Sequence, residues 1–451
     1  MPGVTSARPR VTTLFGGTIA VGMAVLLSSG AAGAAERYNT LTPENAAAQK
    51  KAWTLDQSNW EKAEGLLPPS VLKRVKSGDY TFMVVPIDDE KFKLNLGANF
   101  WAASEANEGK YDVDPETCGI KDAKTGEIPD HIFGKPFPRI DPKDPMAACK
   151  IAWNFYLGNQ LGGGTGATFT LNGVDSNGEF RRIKMFLHLN GYQGRIEKAK
   201  ENPENLRATS LSHAMEPADA EGVNILTQQI NDWTSADRMW AYLPQTRRAR
   251  RVNAATRSDP LAGLDIFADD LNCFAGKPEY YKWKLVGEGR VLAPIIGPYA
   301  LPQVKETETR LNVQIPYLKA GYETPGHKGA NWMITENLTM VERPAWILEG
   351  HSIDPYYNFG KVLMYVDKDM GRIYWKDVHN RAGEYFYTAM CGYHFSNNED
   401  GTYGVVTPNL VMGVNDKTNR AALGGRYDAQ FVEKDFDPNY FSLRALSRLS
   451  D

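Results

Sequence analysis

The feature that most constrains this chain is its C-terminal half, where apolar, β-branched and aromatic runs follow one another with only short polar turns between them. Residues 332–341, 345–350, 362–366, 372–378 and 384–390 all carry strand chemistry. Asp367-Lys368-Asp369-Met370-Gly371 and His379-Asn380-Arg381-Ala382-Gly383 separate the later ones. Connections this short join neighbouring strands when those strands run antiparallel. No helix-length pattern alternates with the strands, which disfavours a parallel α/β fold.

The same theme starts earlier. Residues 167–173 and 180–192 flank Asn177-Gly178, a favoured tight-turn pair, and predict a hairpin. Met185-Phe186-Leu187-His188-Leu189 is apolar at both phases of a two-residue period, as in a buried strand, so His188 reads as a core or edge histidine. Gly162-Gly163-Gly164-Thr165-Gly166 lacks the Lys-Ser/Thr of a phosphate loop and reads as a flexible turn. Ahead of these strands, Ser70-Val71-Leu72-Lys73-Arg74-Val75 predicts a helix started by Pro69 and stopped by Gly78. The expected organisation is a helical segment over 36–78 packed on a β domain over 79–451. A Pro- and Asp-rich surface excursion lies near 103–150.

The first 35 residues read as a secretory signal peptide. Arg8 and Arg10 precede an apolar run at 14–27, small residues fill 28–35, and Glu36 is the first acid. The run is about 14 residues long, short of the roughly 20 that span a bilayer. The expectation is cleavage near Ala34 or Ala35 and a periplasmic protein exported by the general pathway, with no transmembrane span in the mature chain. Lys+Arg number 51 against 54 Asp+Glu, so the basic surplus of a nucleic-acid binder is missing. In an oxidising compartment Cys118, Cys149, Cys273 and Cys391 read as structural. Three pairings are open. Cys118–Cys149 with Cys273–Cys391 is preferred, because the first closes a short loop in the Pro/Asp-rich region.

No constellation signals catalysis. The seven histidines show no metal-ligand spacing, and nothing asks for a cofactor. His351 and Asp354 are the least poor candidates for a hydrolase of a hydrophobic compound, yet they lack a nucleophile elbow. Asp367 and Asp369 open like a calcium loop but lack its later ligands, so Asx-turn chemistry explains them.

Arg247, Arg248, Arg250 and Arg251 put four guanidinium groups into five positions of an acidic chain. In a strand Arg248 and Arg250 share one face while Arg247 and Arg251 share the other. Two readings stand: an internal lattice with Asp265, Asp269 and Asp270, or a docking patch for an anionic headgroup or a partner protein.

The segments Arg247-Arg248-Ala249-Arg250-Arg251, Ala268-Asp269-Asp270-Leu271-Asn272-Cys273-Phe274-Ala275-Gly276 and Tyr281-Lys282-Trp283-Lys284-Leu285-Val286-Gly287 occur in that order. With Gly134-Lys135-Pro136-Phe137-Pro138, Ala152-Trp153-Asn154 and the helix ending at Gly78, they resemble a secreted bacterial family, domain of unknown function 1329. Cys273 departs from the bulky apolar residue expected there. The resemblance implies a LolA/LolB-like fold: a strongly bent antiparallel sheet, an incomplete barrel with helices over its mouth. It further implies a non-enzymatic carrier of a lipid-like or other hydrophobic molecule, working with a resistance–nodulation–division exporter and an outer-membrane protein. The alternative is an envelope assembly or scaffold protein without small-molecule cargo. Trp240, Tyr242, Trp332, Trp346, Tyr365 and Trp375 are the candidate cavity-lining residues, with the arginine run as headgroup or partner dock.

Overall fold

The computed structural model describes residues 51–451 except 94–95, 159–162, 196–199, 233, 253–256, 298–302, 308–309, 398–403, 434–436 and 450–451. The signal-peptide reading and the first part of the 36–78 segment lie outside the described residues.

The elements run β1 (Trp53–Leu55), α1 (Pro69–Ser77), β2 (Phe82–Val84), α2 (Asp89–Lys93), α3 (Ala98–Ala106), β3 (Tyr111–Val113), β4 (Ile120–Asp122) and α4 (Ala147–Gly158). A run of strands follows: β5 (Gly164–Asp175), β6 (Gly178–Gly191), β7 (Leu206–Glu216), β8 (Asn224–Ile230), β9 (Arg238–Leu243) and β10 (Arg248–Val252). Then come β11 (Tyr281–Ile296), β12 (Gln303–Glu306), β13 (Arg310–Gln314), β14 (Leu338–Ser352), β15 (Phe359–Asp367) and β16 (Ile373–Asn380). The chain closes with β17 (Tyr385–Asn397), β18 (Gly404–Asn415), β19 (Arg420–Glu433) and α5 (Leu443–Arg448).

Seventeen of the described strands form one sheet. Following the ladders gives β10-β9-β8-β7-β6-β5-β19-β18-β17-β16-β15-β14-β11, antiparallel at every step. A single parallel bridge, Ile295 to Tyr393, brings β11 back against β17. One bridge is not a ladder, so the sheet wraps without closing. β19 changes partner part-way. Its first half pairs with β18, and after an irregularity between Gly425 and Ala429 its second half pairs with β13, while β5 follows both halves. The fold is thus mainly β, a strongly bent antiparallel sheet, as expected.

Local chemistry explains most boundaries. α1 has proline at its start and ends on Gly78 at φ 83°, a left-handed position that glycine adopts without strain. Val71 and Val75, four apart, bury one stripe of it. Every residue of α4 but Lys150 is buried, matching its all-round apolar sequence. The β5–β6 hairpin forms as expected but turns one position earlier, at Ser176-Asn177, where the Asp175 carboxylate accepts from the Asn177 amide at 2.7 Å and Gly178 opens β6 at φ 115°. Both disulfides follow the preferred pairing, Cys118–Cys149 and Cys273–Cys391.

Two expectations change. The strands read at 332–341 and 345–350 are one strand, β14, and Trp332 precedes it in irregular structure. Pro344 sits inside this strand because its carbonyl accepts from Lys368 on the β15 side, at the end of that ladder. The missing proline N–H falls on the same side, past the last ladder pair, and the Lys368 carbonyl it would have met accepts from the Lys135 ammonium at 3.1 Å instead. The glycine-rich stretch is not a turn over its described part: Gly164, Thr165 and Gly166 open β5 and are held by β6 on one edge and β19 on the other.

Arg343 anchors the β14–β15 end of the sheet. Its guanidinium meets Asp367 at 2.9 Å, Asp89 at 2.6 Å and Asp369 at 3.0 Å, with Arg343 and Asp367 fully buried. Burial pushes the Asp367 carboxyl up, but Arg343 and the surrounding donors outweigh it and hold the group below its usual value. Asp367 also accepts from the amides of Asp369 and Met370, which is the Asx turn the sequence suggested.

Candidate functional site: an apolar shelf ending in an arginine edge

The wing formed by β6 to β10 has two faces of different character. Register places Leu187, Ser212, Ile225, Ala241 and Arg250 in one row across it. Leu189, Ser210, Thr227, Met239 and Val252 form the adjacent row on the same face. Both rows are half-buried until the exposed Arg250. Met185 and Leu187 join this face to the main core, and Gln229 donates to the Ala275 carbonyl at 3.4 Å. The result is an apolar shelf walled by the core at one side and ending in a cation at the other.

The opposite face is capped. His188, Leu211, Leu226 and Trp240 share a row, beside Phe186, His213, Asn224 and Tyr242. α5 and the segment just before it lie over them, so that Phe441, Ala445 and Leu446 bury Leu211, Leu226 and Tyr242 in a satellite cluster with Trp240 at its margin. Asn224 fixes the helix by donating to the Leu446 carbonyl at 2.7 Å. His188 stands between the Phe186 and Tyr440 rings, at centroid distances of 4.2 and 4.8 Å. Burial pushes its pKa down to about 4, so the ring is neutral there at ordinary pH.

Arg247 occupies the β9–β10 turn at φ 49°, and Arg248, Arg250 and Arg251 lie in β10, all exposed. Among the described residues no carboxylate comes within 4.0 Å of any of the four. The internal lattice is therefore not what the aspartates serve. Asp269 and Asp270 are fully buried against Lys376, at 3.6 and 2.7 Å, and Arg257 reaches Asp269 at 3.7 Å. Tyr387 donates to Asp270 at 2.6 Å, and Asp265 accepts from Asn415 at 2.7 Å.

The six aromatic candidates fall in three places. Trp240 and Tyr242 lie under or beside α5. Trp375 pairs directly with Tyr365 across β16 and β15 and lines a partly open cavity beneath α1 with Ser70, Arg74, Tyr385 and Thr388. Trp332 is close by, donating to the Tyr80 hydroxyl of that cavity at 3.1 Å. Trp346 stands apart, its ring under the Lys368 ammonium at 4.0 Å. The cavity's free volume is only about 10 Å³, room for about one water. That is below the roughly 300–1,000 Å³ of small-molecule sites. The shelf instead presents half-buried Leu187, Ile225 and Met239, none of them among the six aromatic candidates. A period of two shows which side chains share a face, not which face a later helix will cover. His351 and Asp354 form no dyad: His351 pairs with Glu349 at 2.9 Å and Asp354 accepts from the Tyr356 amide at 2.9 Å. Among the described residues no cluster of three metal-ligating side chains occurs, and no helix is long and apolar enough to cross a membrane.

The family profile described as "Protein of unknown function (DUF1329)" matches residues 54–446. The chain belongs to the DUF1329 family. Among solved structures this DUF1329 chain is similar to a domain assigned to outer membrane lipoprotein sorting from Vibrio parahaemolyticus, at 16% identity over 66% of this chain and 97% of that one, TM-score 0.45. It is also similar to a DUF1329 family protein from Desulfovibrio piger, at 12% identity over 66% and 96%, TM-score 0.45. A third is a LolA superfamily protein from Nitrosomonas europaea, at 13% identity over 66% and 98%, TM-score 0.38. No curated protein matches the sequence.

Proposed function

We propose that this DUF1329 protein is a periplasmic, non-enzymatic carrier of an amphiphile that has an acyl or similarly apolar body and an anionic headgroup. The single observation that carries this reading is the β6–β10 shelf, where Leu187, Leu189, Ile225, Met239 and Ala241 lie half-buried among small hydroxyl residues, one row ending at exposed Arg250 and the other at Val252. Each methylene laid on such a surface contributes up to about 0.8 kcal/mol before ordering costs. The Arg250 fork suits a carboxylate or phosphate. A hydrophobic cargo is also what the family resemblance of the sequence motifs implies. On this reading the membrane ends of the route are a resistance–nodulation–division exporter and an outer-membrane protein.

The test is native mass spectrometry with lipid extraction, on protein purified from a periplasm without detergent. A stoichiometric apolar adduct is expected, and Ile225→Asp or Met239→Asp should lower its occupancy at least tenfold. A clean apo mass that stays unchanged after incubation with envelope lipids would contradict the proposal.

A further inference from the structure

We propose that the outer edge of β10 takes up an acidic, extended segment of a partner protein as an additional strand. This goes beyond the carrier reading and does not depend on it. Among the described residues β10 pairs with β9 alone, and no backbone hydrogen bond between described residues crosses its other edge. An unpaired edge presents a row of N–H and C=O groups ready for another strand. The edge is held in place: the β9–β10 turn closes through Thr246 and Arg247 amides on the Leu243 and Pro244 carbonyls, both at 3.1 Å, and α5 packs on one face of the wing. The five residues Arg248–Val252 offer a ladder of roughly 17 Å.

Charge decides the occupant. Arg247, Arg248, Arg250 and Arg251 are exposed and have no acidic partner among the described residues. Arginine forks at this density repel a second copy of the same edge, which protects the chain from pairing with itself. They attract a strand with Asp or Glu at positions opposite them. On such a strand one acid would lie across from Arg248 on the shelf face, and a second across from Arg251 on the α5 face. Backbone bonds then supply the affinity and the arginines the sign of the partner.

The experiment uses the full mature chain and three synthetic octapeptides of Val and Thr that carry Glu, Gln or Lys at two positions three apart, so that one faces each side of the added strand, followed by fluorescence anisotropy and amide hydrogen exchange. Vesicles of phosphatidylglycerol serve as a fourth probe. The Glu peptide should bind at least tenfold more tightly than the Gln peptide and slow exchange in 248–252 at least tenfold. The Arg248→Glu/Arg251→Glu variant should reverse the preference toward the Lys peptide. Equal binding of the Glu and Gln peptides, binding without added protection in β10, or binding of vesicles alone would each overturn the proposal. A chain that carries lipid but ignores all peptides would leave the carrier reading standing and remove this one.

Discussion

Ser70, at the start of α1, donates a hydrogen bond of 2.9 Å to the carboxylate of Asp377 in β16, joining two residues 307 positions apart. Thr388 donates to the same oxygen at 2.5 Å, and Tyr385 and Thr388 share a further bond of 2.8 Å. Burial raises the Asp377 pKa to about 6 despite these two donors, with Asp416 adding repulsion. A carboxyl whose folded pKa exceeds its unfolded value binds its proton more tightly when folded. Stability therefore falls as pH rises from about 4 to about 6, by about 3 kcal/mol. Asp377→Asn should remove that slope and be more stable than the parent at pH 7. Urea melts of both proteins between pH 4 and 7.5 check this; parallel curves would show that Asp377 does not set the slope.

The Arg343 cluster gives a second prediction. Arg343→Met leaves the buried Asp367 carboxylate without its principal counter-charge. A loss of about 3–5 kcal/mol is expected. Adding Asp367→Asn should restore part of it, because the second change removes the stranded charge. Chemical denaturation of the two variants reads the coupling directly.

α5 discriminates between contact and mere proximity. Leu446 is fully buried on the wing while Leu443, three residues earlier, is 47% exposed. Leu446→Ala should cost about 2–4 kcal/mol, whereas Leu443→Ala should stay within about 0.5 kcal/mol. If both changes proved neutral, α5 would not be the cap described above.

The disulfides should contribute unequally. Cys273–Cys391 closes 118 positions of chain and Cys118–Cys149 closes 31. Chain-entropy arguments give about 5 and about 4 kcal/mol for loops of these lengths. The Cys273→Ser/Cys391→Ser variant should therefore melt below the Cys118→Ser/Cys149→Ser variant in thermal scans.

Much of the framework was legible in the sequence, for reasons these residues make plain. Asn177-Gly178 marks a hairpin because its geometry is local, and Gly78 ends α1 because a left-handed position is needed there. The family motifs pointed to DUF1329 before any geometry was known. Long-range closure was not legible. The satellite cluster depends on α5 meeting strands some two hundred positions earlier, and the irregularity that lets β19 serve both β18 and β13 is marked only by Gly424-Gly425, which does not say which strands it joins. In β9, Met239 and Ala241 on the shelf alternate with Trp240 and Tyr242 on the opposite face. The larger aromatic side chains drew attention to the face that α5 covers, and away from the shelf.

The most direct test of the shelf is photocrosslinking with a diazirine-bearing fatty acid, followed by peptide mapping of the labelled protein. Adducts should concentrate on Leu187, Ile225 and Met239, be competed away by unlabelled anionic amphiphile and fall when Arg250 is changed to Glu. Labelling confined to the cavity beneath α1, or spread over the surface without competition, would contradict the shelf reading.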